Sequence, residues 1–216
     1  MNTFSGLLDI LFPRRCVFCS HILKSGEESV CRQCADSLPY TSGGAVHRSG
    51  DYFEDCVVPL RYEDKVRKSL HRFKFKGASN YADCYGAILA SCIREHLEGR
   101  YDLISWVPLS PGRMRARGYD QAMLLACAAA LELDSVAVET LRKDVEAEAQ
   151  STMGGKDQRK ANISGAYSAA DHELIAEKRI LLIDDIVTTG STLSECAKTL
   201  LLAGADSVVC AALAGA

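Results

Sequence analysis

Ile180-Leu181-Leu182-Ile183-Asp184-Asp185-Ile186-Val187-Thr188-Thr189-Gly190-Ser191-Thr192 is the stretch on which the reading of this chain turns. Four consecutive apolar residues mark a buried strand. That strand delivers two adjacent carboxylates at its C-terminal end, then turns through Thr-Thr-Gly-Ser-Thr into a helix signal over Ser191–Leu202. Backbone N–H groups at a helix start, with Ser and Thr hydroxyls beside them, form a cradle for phosphate. Two carboxylates next to the cradle can accept hydrogen bonds from paired sugar hydroxyls. The combination reads as a site for a 5-phosphorylated ribose. The bland alternative is a capped strand–helix turn with a solvated acid pair, and the order of strand, acid pair and hydroxyl-rich turn weighs against it.

Leu103-Ile104-Ser105-Trp106-Val107 is another short apolar run, stopped by Pro108. Ser207–Leu213 reads as a last strand, after a helix closed by Gly204. Between Ser79 and Leu97, Tyr81, Cys84, Tyr85, Ile88, Leu89, Cys92, Ile93, His96 and Leu97 repeat in steps of three and one, one face of a helix. His96 lies on that face and reads as a core or boundary residue, not a ligand. Gln121–Leu131 is rich in Ala and Leu and also helical. Alternating strands and helices from Asp51 onward predict an α/β domain: a mainly parallel sheet flanked by helices, with its ligand at the strand C-termini. Residues 146–164 are polar and contain Gly154-Gly155. Long structureless segments in compact domains usually work as lids, so this one is expected to close over the site.

The other end of the chain has a different character. Cys16-Val17-Phe18-Cys19 and Cys31-Arg32-Gln33-Cys34 pair at the two-residue spacing that lets a tight turn put both sulfurs on one metal. Two such pairs make a closed four-thiolate shell with no open position, a structural Zn2+ site in a ribbon spanning residues 1–40. The competing reading, a redox-active Cys-x-x-Cys, is weakened by the matched second pair. The six remaining cysteines are scattered through apolar stretches and read as small hydrophobes in a reducing compartment. Residues 41–50 are small and polar and read as a linker or a flexible turn.

The chain has 216 residues, 25 Lys plus Arg against 28 Asp plus Glu, and 48% hydrophobic residues. This is an ordinary soluble composition, which excludes a disordered chain and a globally basic nucleic-acid binder. No apolar run reaches the roughly 18 residues of a membrane-spanning helix. The run Leu7–Phe12 lacks a basic region before it and has Arg14 and Arg15 after it, the reverse of a secretory signal. It reads as a short amphipathic segment packing on the rest of the protein, and a cytoplasmic location is expected. One local exception to the acidic balance is Arg61–Lys76, with seven basic side chains against Glu63 and Asp64. Val66, Leu70 and Phe73 keep a helical apolar stripe, which would leave Arg61, Lys68, Arg72, Lys74 and Lys76 largely on the opposite face. With Tyr62, Phe73 and Phe75 interleaved, such a stripe could track single-stranded DNA by charge and stacking. It could equally be a solvated helix face or a wall of the phosphoribosyl pocket.

The Asp184–Thr192 segment resembles the phosphoribosyl-pyrophosphate (PRPP) motif of type I phosphoribosyltransferases. The whole chain is similar to the ComF family of competence-associated proteins, ComFC- and GntX-like. Further matches are Leu60-Arg61-Tyr62 with Arg72–Gly77, Val107-Pro108-Leu109, Arg113–Ala122, and Gln150 followed by Arg159, Asn162 and Gly165-Ala166-Tyr167. Tyr119-Asp120-Gln121 stands where Phe-Asn-Gln is more usual, and Ser110-Pro111-Gly112 where a His-Pro-Arg-like stretch is common.

The resemblance implies specific roles. Asp184 and Asp185 would hold the ribose hydroxyls, with Mg2+ accompanying the PRPP, and Thr188, Thr189, Gly190, Ser191 and Thr192 would bind the 5-phosphate. Leu109, Arg113, Arg115 and Arg117 would face the pyrophosphate. Arg159 and Lys160 would act from the closing loop. The region of about 51–78 would supply a hood within a phosphoribosyltransferase-like domain of 51–216. The implied activity is transfer of phosphoribose, a pentosyl-group transferase reaction, to an acceptor the sequence does not name. The implied setting is single-stranded DNA handling in natural transformation with other competence proteins. The alternative is a non-catalytic, PRPP-sensing DNA-binding accessory factor.

Overall fold

Apolar runs and amphipathic helices close into a six-stranded sheet covered on both faces. The computed structural model describes residues 13–143 and 165–216. The expected amphipathic segment up to Phe12 and the whole of the expected lid, including Gln150, Arg159, Lys160 and Asn162, lie outside the described residues. In chain order the elements are helix α1 (Arg32–Ala35), strands β1 (His47–Arg48), β2 (Cys56–Val57) and β3 (Leu60–Arg61), then helices α2 (Asp64–Phe75) and α3 (Ala82–Leu97). Strand β4 (Leu103–Trp106), helices α4 (Pro111–Arg117) and α5 (Gln121–Glu132), and strands β5 (Leu141–Lys143) and β6 (Tyr167–Ala169) follow. Helix α6 (His172–Ile175), strand β7 (Arg179–Val187), helix α7 (Ser191–Leu202) and strand β8 (Ser207–Gly215) complete the order.

The main sheet runs β1-β2-β8-β7-β4, with β3 also on β8. Every pairing in it is parallel except β1 with β2. Burial of both faces explains why β7 and β8 read as unbroken apolar runs. Leu181, Ile183, Val209, Ala211 and Leu213 point into one core with α2, α3 and α5. Ile180, Leu182, Val208, Cys210 and Ala212 point into the other, with α6 and α7. α3 and α5 cross at Gly86, where a Cβ would lie 2.5 Å from the Cβ of Ala128, so only glycine permits that approach. β5 and β6 form a separate antiparallel pair flanking the segment that leads away from Lys143 and returns at Gly165.

The four-Cys module packs directly on this domain. Phe18 lies fully buried with its ring centroid 6.0 Å from that of Tyr85 on α3. From α2, Ser69 donates to the Val17 carbonyl, and the Arg72 guanidinium donates to the carbonyls of Val17 (2.7 Å) and Phe18 (2.8 Å). Residues 41–50, expected as a linker or a flexible turn from their small polar composition, hold a 3-10 turn over Gly43–Val46 and the edge strand β1. Val46 is buried and the Val58 amide donates to its carbonyl, which anchors the stretch to the sheet. Among the described residues no helix is long and apolar enough to cross a membrane.

Candidate functional site

β7 carries Asp184 and Asp185 to the C-terminal edge of the sheet. Gly190 then takes φ +74°, a left-handed conformation that glycine adopts without a Cβ clash, and turns the chain into α7. Thr188 and Thr189 are exposed, and the hydroxyls of Thr189 and Ser191 lie 2.9 Å apart. The first-turn N–H groups of a 12-residue helix therefore open beside the acid pair.

Asp184, Asp185, Thr192, Leu109, Arg113 and Arg117 line one cavity of about 200 Å³. Thr188, Thr189, Gly190 and Ser191 form the turn at its edge without lining it, and Arg115 is exposed outside it. The lining also includes Lys74, whose stripe had a pocket wall among its readings, and the polar side chains of Gln121, Lys143 and Tyr167, which had no assigned role there, beside apolar Val107, Pro108, Ala122 and Ile186. Lys143 and Tyr167 sit on β5 and β6, where Lys143 Nζ is 3.1 Å from the Tyr167 hydroxyl and 5.0 Å from its ring centroid. Their signal was position, a few residues before and after the polar segment, and for Tyr167 also the Gly165-Ala166-Tyr167 match.

The loop after β4 is held by Asp120. Its carboxylate accepts from the amide of Leu109 (2.8 Å) and from that of Met123 (3.1 Å), capping α5 and tethering the loop at once. Burial pushes the Asp120 carboxyl up from its usual range, and those amide bonds pull against the shift. Ser110 caps α4 in turn, with Pro111 in its first turn. The two departures from the family pattern are therefore helix caps.

Lys74, on the last turn of α2, places its Nζ 2.8 Å from Asp185 Oδ2. The Asp185 amide donates to Asp184 Oδ1 at 2.7 Å. Burial, and next the adjoining Asp185 charge, hold the Asp184 carboxyl far above the usual carboxylate range, with Lys74 partly opposing them. The acid pair is a place where a second negative charge is costly until a donor or a cation accompanies it.

The basic stripe divides in two. Lys68 and Lys76 face outward, and Arg61 pairs with Glu63 at 3.3 Å. With Tyr62, Arg67, His71 and Arg72, Lys68 and Lys76 line an open cavity of about 420 Å³. Lys74 departs from the expected outward stripe, and Arg72 does so in part. Arg72 is committed to the carbonyls of the four-Cys module and Lys74 to Asp185, because each side chain emerges beside buried Phe73 and turns inward.

The thiolate cluster stands apart from the cavity. The sulfurs of Cys16, Cys19, Cys31 and Cys34 lie within 4.8 Å of one another, and Cys19 and Cys31 are 3.5 Å apart. A tetrahedral zinc with bonds of about 2.3 Å needs sulfurs about 3.8 Å apart, so the set fits. The Cys31 amide points at Cys16 Sγ from 3.4 Å, an outer hydrogen bond of the kind that fixes ligating sulfurs. None of the ten cysteines is paired in a disulfide.

A metal-binding ribbon joined to a parallel sheet with a carboxylate pair and a helix N-terminus at its C-terminal edge defines a ribbon–phosphoribosyltransferase type of protein. Two family models agree: a double zinc ribbon domain matches residues 7–59, and a phosphoribosyl transferase domain matches residues 116–216. Among the described residues the ribbon holds one complete four-sulfur set, and the next cysteine, Cys56, is buried in β2.

The chain belongs to the ComF family of competence-associated proteins. It is 29% identical over 218 residues to Competence protein F of Haemophilus influenzae, covering 91% of this chain and 95% of that one. It is 30% identical over 209 residues to the DNA utilization protein YhgH of Escherichia coli, covering 89% and 86%. Among solved structures, the glutamine PRPP amidotransferase of B. subtilis aligns with a TM-score of 0.47 and 16% identity, over 66% of this chain and 30% of that chain.

Proposed function

We propose that this chain binds PRPP and works as a phosphoribosyltransferase of the ComF family, transferring phosphoribose to an unidentified acceptor while single-stranded DNA is handled in the cytoplasm during natural transformation. The observation that supports this reading is the convergence of Asp184, Asp185 and Thr192 with Arg113, Arg117, Lys74 and Lys143 on one cavity. The ribose 2- and 3-hydroxyls would donate to the acid pair, and the α7 N-terminus with the Thr188–Thr192 hydroxyls would hold the 5-phosphate. Arg113 and Arg117 would face the pyrophosphate, whose charge grows as the sugar carbon becomes oxocarbenium-like. Mg2+, carried with the pyrophosphate and held by the acid pair, would neutralise part of that charge. In this division residues 1–40 form the zinc ribbon and 51–216 the transferase-like domain, with its hood within about 51–78.

The reading is tested by isothermal titration with PRPP and Mg2+ and with ribose 5-phosphate. Wild-type protein should bind both, and Asp184→Ala combined with Asp185→Ala should abolish binding. Retained binding in the double variant would place the ligand elsewhere. A second reading, a PRPP sensor without turnover, draws on the direct tie of α2 to both the ribbon and the acid pair. Pyrophosphate release in a screen of acceptors separates the two.

A further inference from the structure

Resting on that reading, the structure places one residue in a position that the phosphoribose motif does not supply. Lys74 comes from α2, far from the motif in sequence, yet its ammonium lies on the carboxylate expected to take a ribose hydroxyl. Its side chain is 20% exposed and that of Asp185 10% exposed, so the pair is largely shielded from water. A shielded ion pair is not readily replaced by water, and a cation released from it needs another anion within reach. The neighbouring backbone is fixed: Phe73 is fully buried, its carbonyl accepts from the Tyr119 hydroxyl, and Arg117 stacks its guanidinium 4.9 Å from the centroid of Phe75. Movement at Lys74 is therefore confined to its flexible four-carbon stem. Arg113 and Arg117, the expected pyrophosphate ligands, line the same cavity as Lys74.

We propose that Lys74 is the resident cation of the acid pair in the free protein and a pyrophosphate-binding residue in the complex. When a ribose hydroxyl takes Asp185, the ammonium transfers to the anionic group on the sugar's first carbon. Ribose 5-phosphate lacks that group, so its binding frees Lys74 without giving it a new partner. PRPP supplies the partner. Lys74 thereby selects for the pyrophosphorylated sugar over the plain one, a discrimination made by charge placed on α2.

The test is isothermal titration of full-length wild type, Lys74→Met and Lys74→Gln with PRPP plus Mg2+ and, separately, with ribose 5-phosphate, below each variant's melting midpoint. The expected result is a tenfold or greater weakening for PRPP in both variants, with ribose 5-phosphate affinity changed less than threefold. Lys74→Gln keeps a hydrogen bond to Asp185, so it reports the missing charge even if Lys74→Met folds poorly. Lys74→Arg should retain most of the preference. Equal weakening for both ligands would show that Lys74 only neutralises the acid pair, and unchanged PRPP affinity would show that it has no part in binding. Either result overturns the assignment while leaving the site intact. Failure of wild-type protein to bind either ligand would remove the functional reading and this assignment with it.

Discussion

At the N-terminal end of β7, Arg179 forks onto Asp102 with contacts of 2.6 and 3.0 Å, takes its own amide to the same carboxylate, and donates to the Gly99 carbonyl. At the C-terminal end of the same strand, Asp185 has one ammonium and Asp184 has its neighbour's amide. Arginine and its backbone hold the Asp102 carboxyl down at about 2, whereas burial beside a second carboxylate pushes Asp184 up. One end spends its charges on itself and the other keeps them under-partnered. A carboxylate pair satisfied by its own protein would have nothing left for a ligand, so the crowded end is where a site belongs. The two ends also differ in support. The Arg179 fork is complete within neighbouring loops, while the acid pair depends on Lys74, hence on α2, hence on the ribbon that Arg72 and Ser69 hold.

The largest effect should come from cutting that line of support at its far end. Cys31→Ser, or removal of the metal by a strong chelator, should unfold the ribbon, because structural thiolate sites couple metal to folding. From the sequence alone the sheet domain would be expected to survive this. Phe18 against Tyr85 and the Arg72 bonds predict otherwise: α2 and α3 lose a shared core, at a cost of about 3–5 kcal/mol, or a melting midpoint lower by about 10 °C. Calorimetry should show a single transition moving down, and elemental analysis of the wild type about one Zn2+ per chain. Two separated transitions would mean that the ends of β7 are supported alike.

Next in size is Asp120→Ala, which strikes the loop beside the acid pair. It strips the acceptor from two backbone amides, those of Leu109 and Met123, at a cost of about 2 kcal/mol. Loosening of the loop should also weaken ligand binding at the crowded end, and urea unfolding with parallel titration reads both. Asp120→Asn accepts from only one of the two amides and should fall between. Equal stability of all three proteins would show that Asp120 tethers nothing.

The sequence disclosed β4, β7, β8, α7, the acid pair and the four-cysteine cluster because each is written locally, in a run, a spacing or a turn. Lys74 stayed divided between an outward face and a pocket wall for a physical reason. Helical periodicity fixes which face a Cα occupies, but a long side chain beside buried Phe73 can bend either way, and only the distant carboxylate decides it. The edge strand within 41–50 was missed because two-residue strands leave no alternation to read. Lys143 and Tyr167 became site residues only when β5 and β6 paired.

Asp184→Asn sharpens the contrast in sign. A carboxyl whose folded pKa is raised contributes stability that is full below its unfolded pKa, about 4, and is lost as pH rises through the folded one. Substitution by Asn should therefore stabilise the protein above pH 7, by about 1.4 kcal/mol or more, the free energy of a tenfold change in proton affinity, and have little effect below pH 4. Thermal melts across that range read the difference. The same variant should bind ribose 5-phosphate more weakly. A site that gains stability as it loses function is the signature of the under-partnered end.

The smallest effect belongs to the satisfied end. Asp102→Asn leaves an oxygen for the Arg179 amide but turns an amide group toward the guanidinium. Both side chains are more than a third exposed, so solvent screens most of the pair's energy despite its fork geometry. The melting midpoint at pH 7 should fall by only about 1–2 °C, and less in high salt. Here the folded pKa is depressed, so the stabilisation is present above the unfolded pKa near 4 and disappears as pH falls through about 2. Wild type and variant should accordingly converge on acidification, the reverse of the Asp184→Asn pattern, which diverges toward alkaline pH. Ligand affinity should not change, since the fork lies at the opposite end of the strand from the cavity. A loss of binding in Asp102→Asn would show that the two ends are coupled through β7 itself and not only through the ribbon and α2.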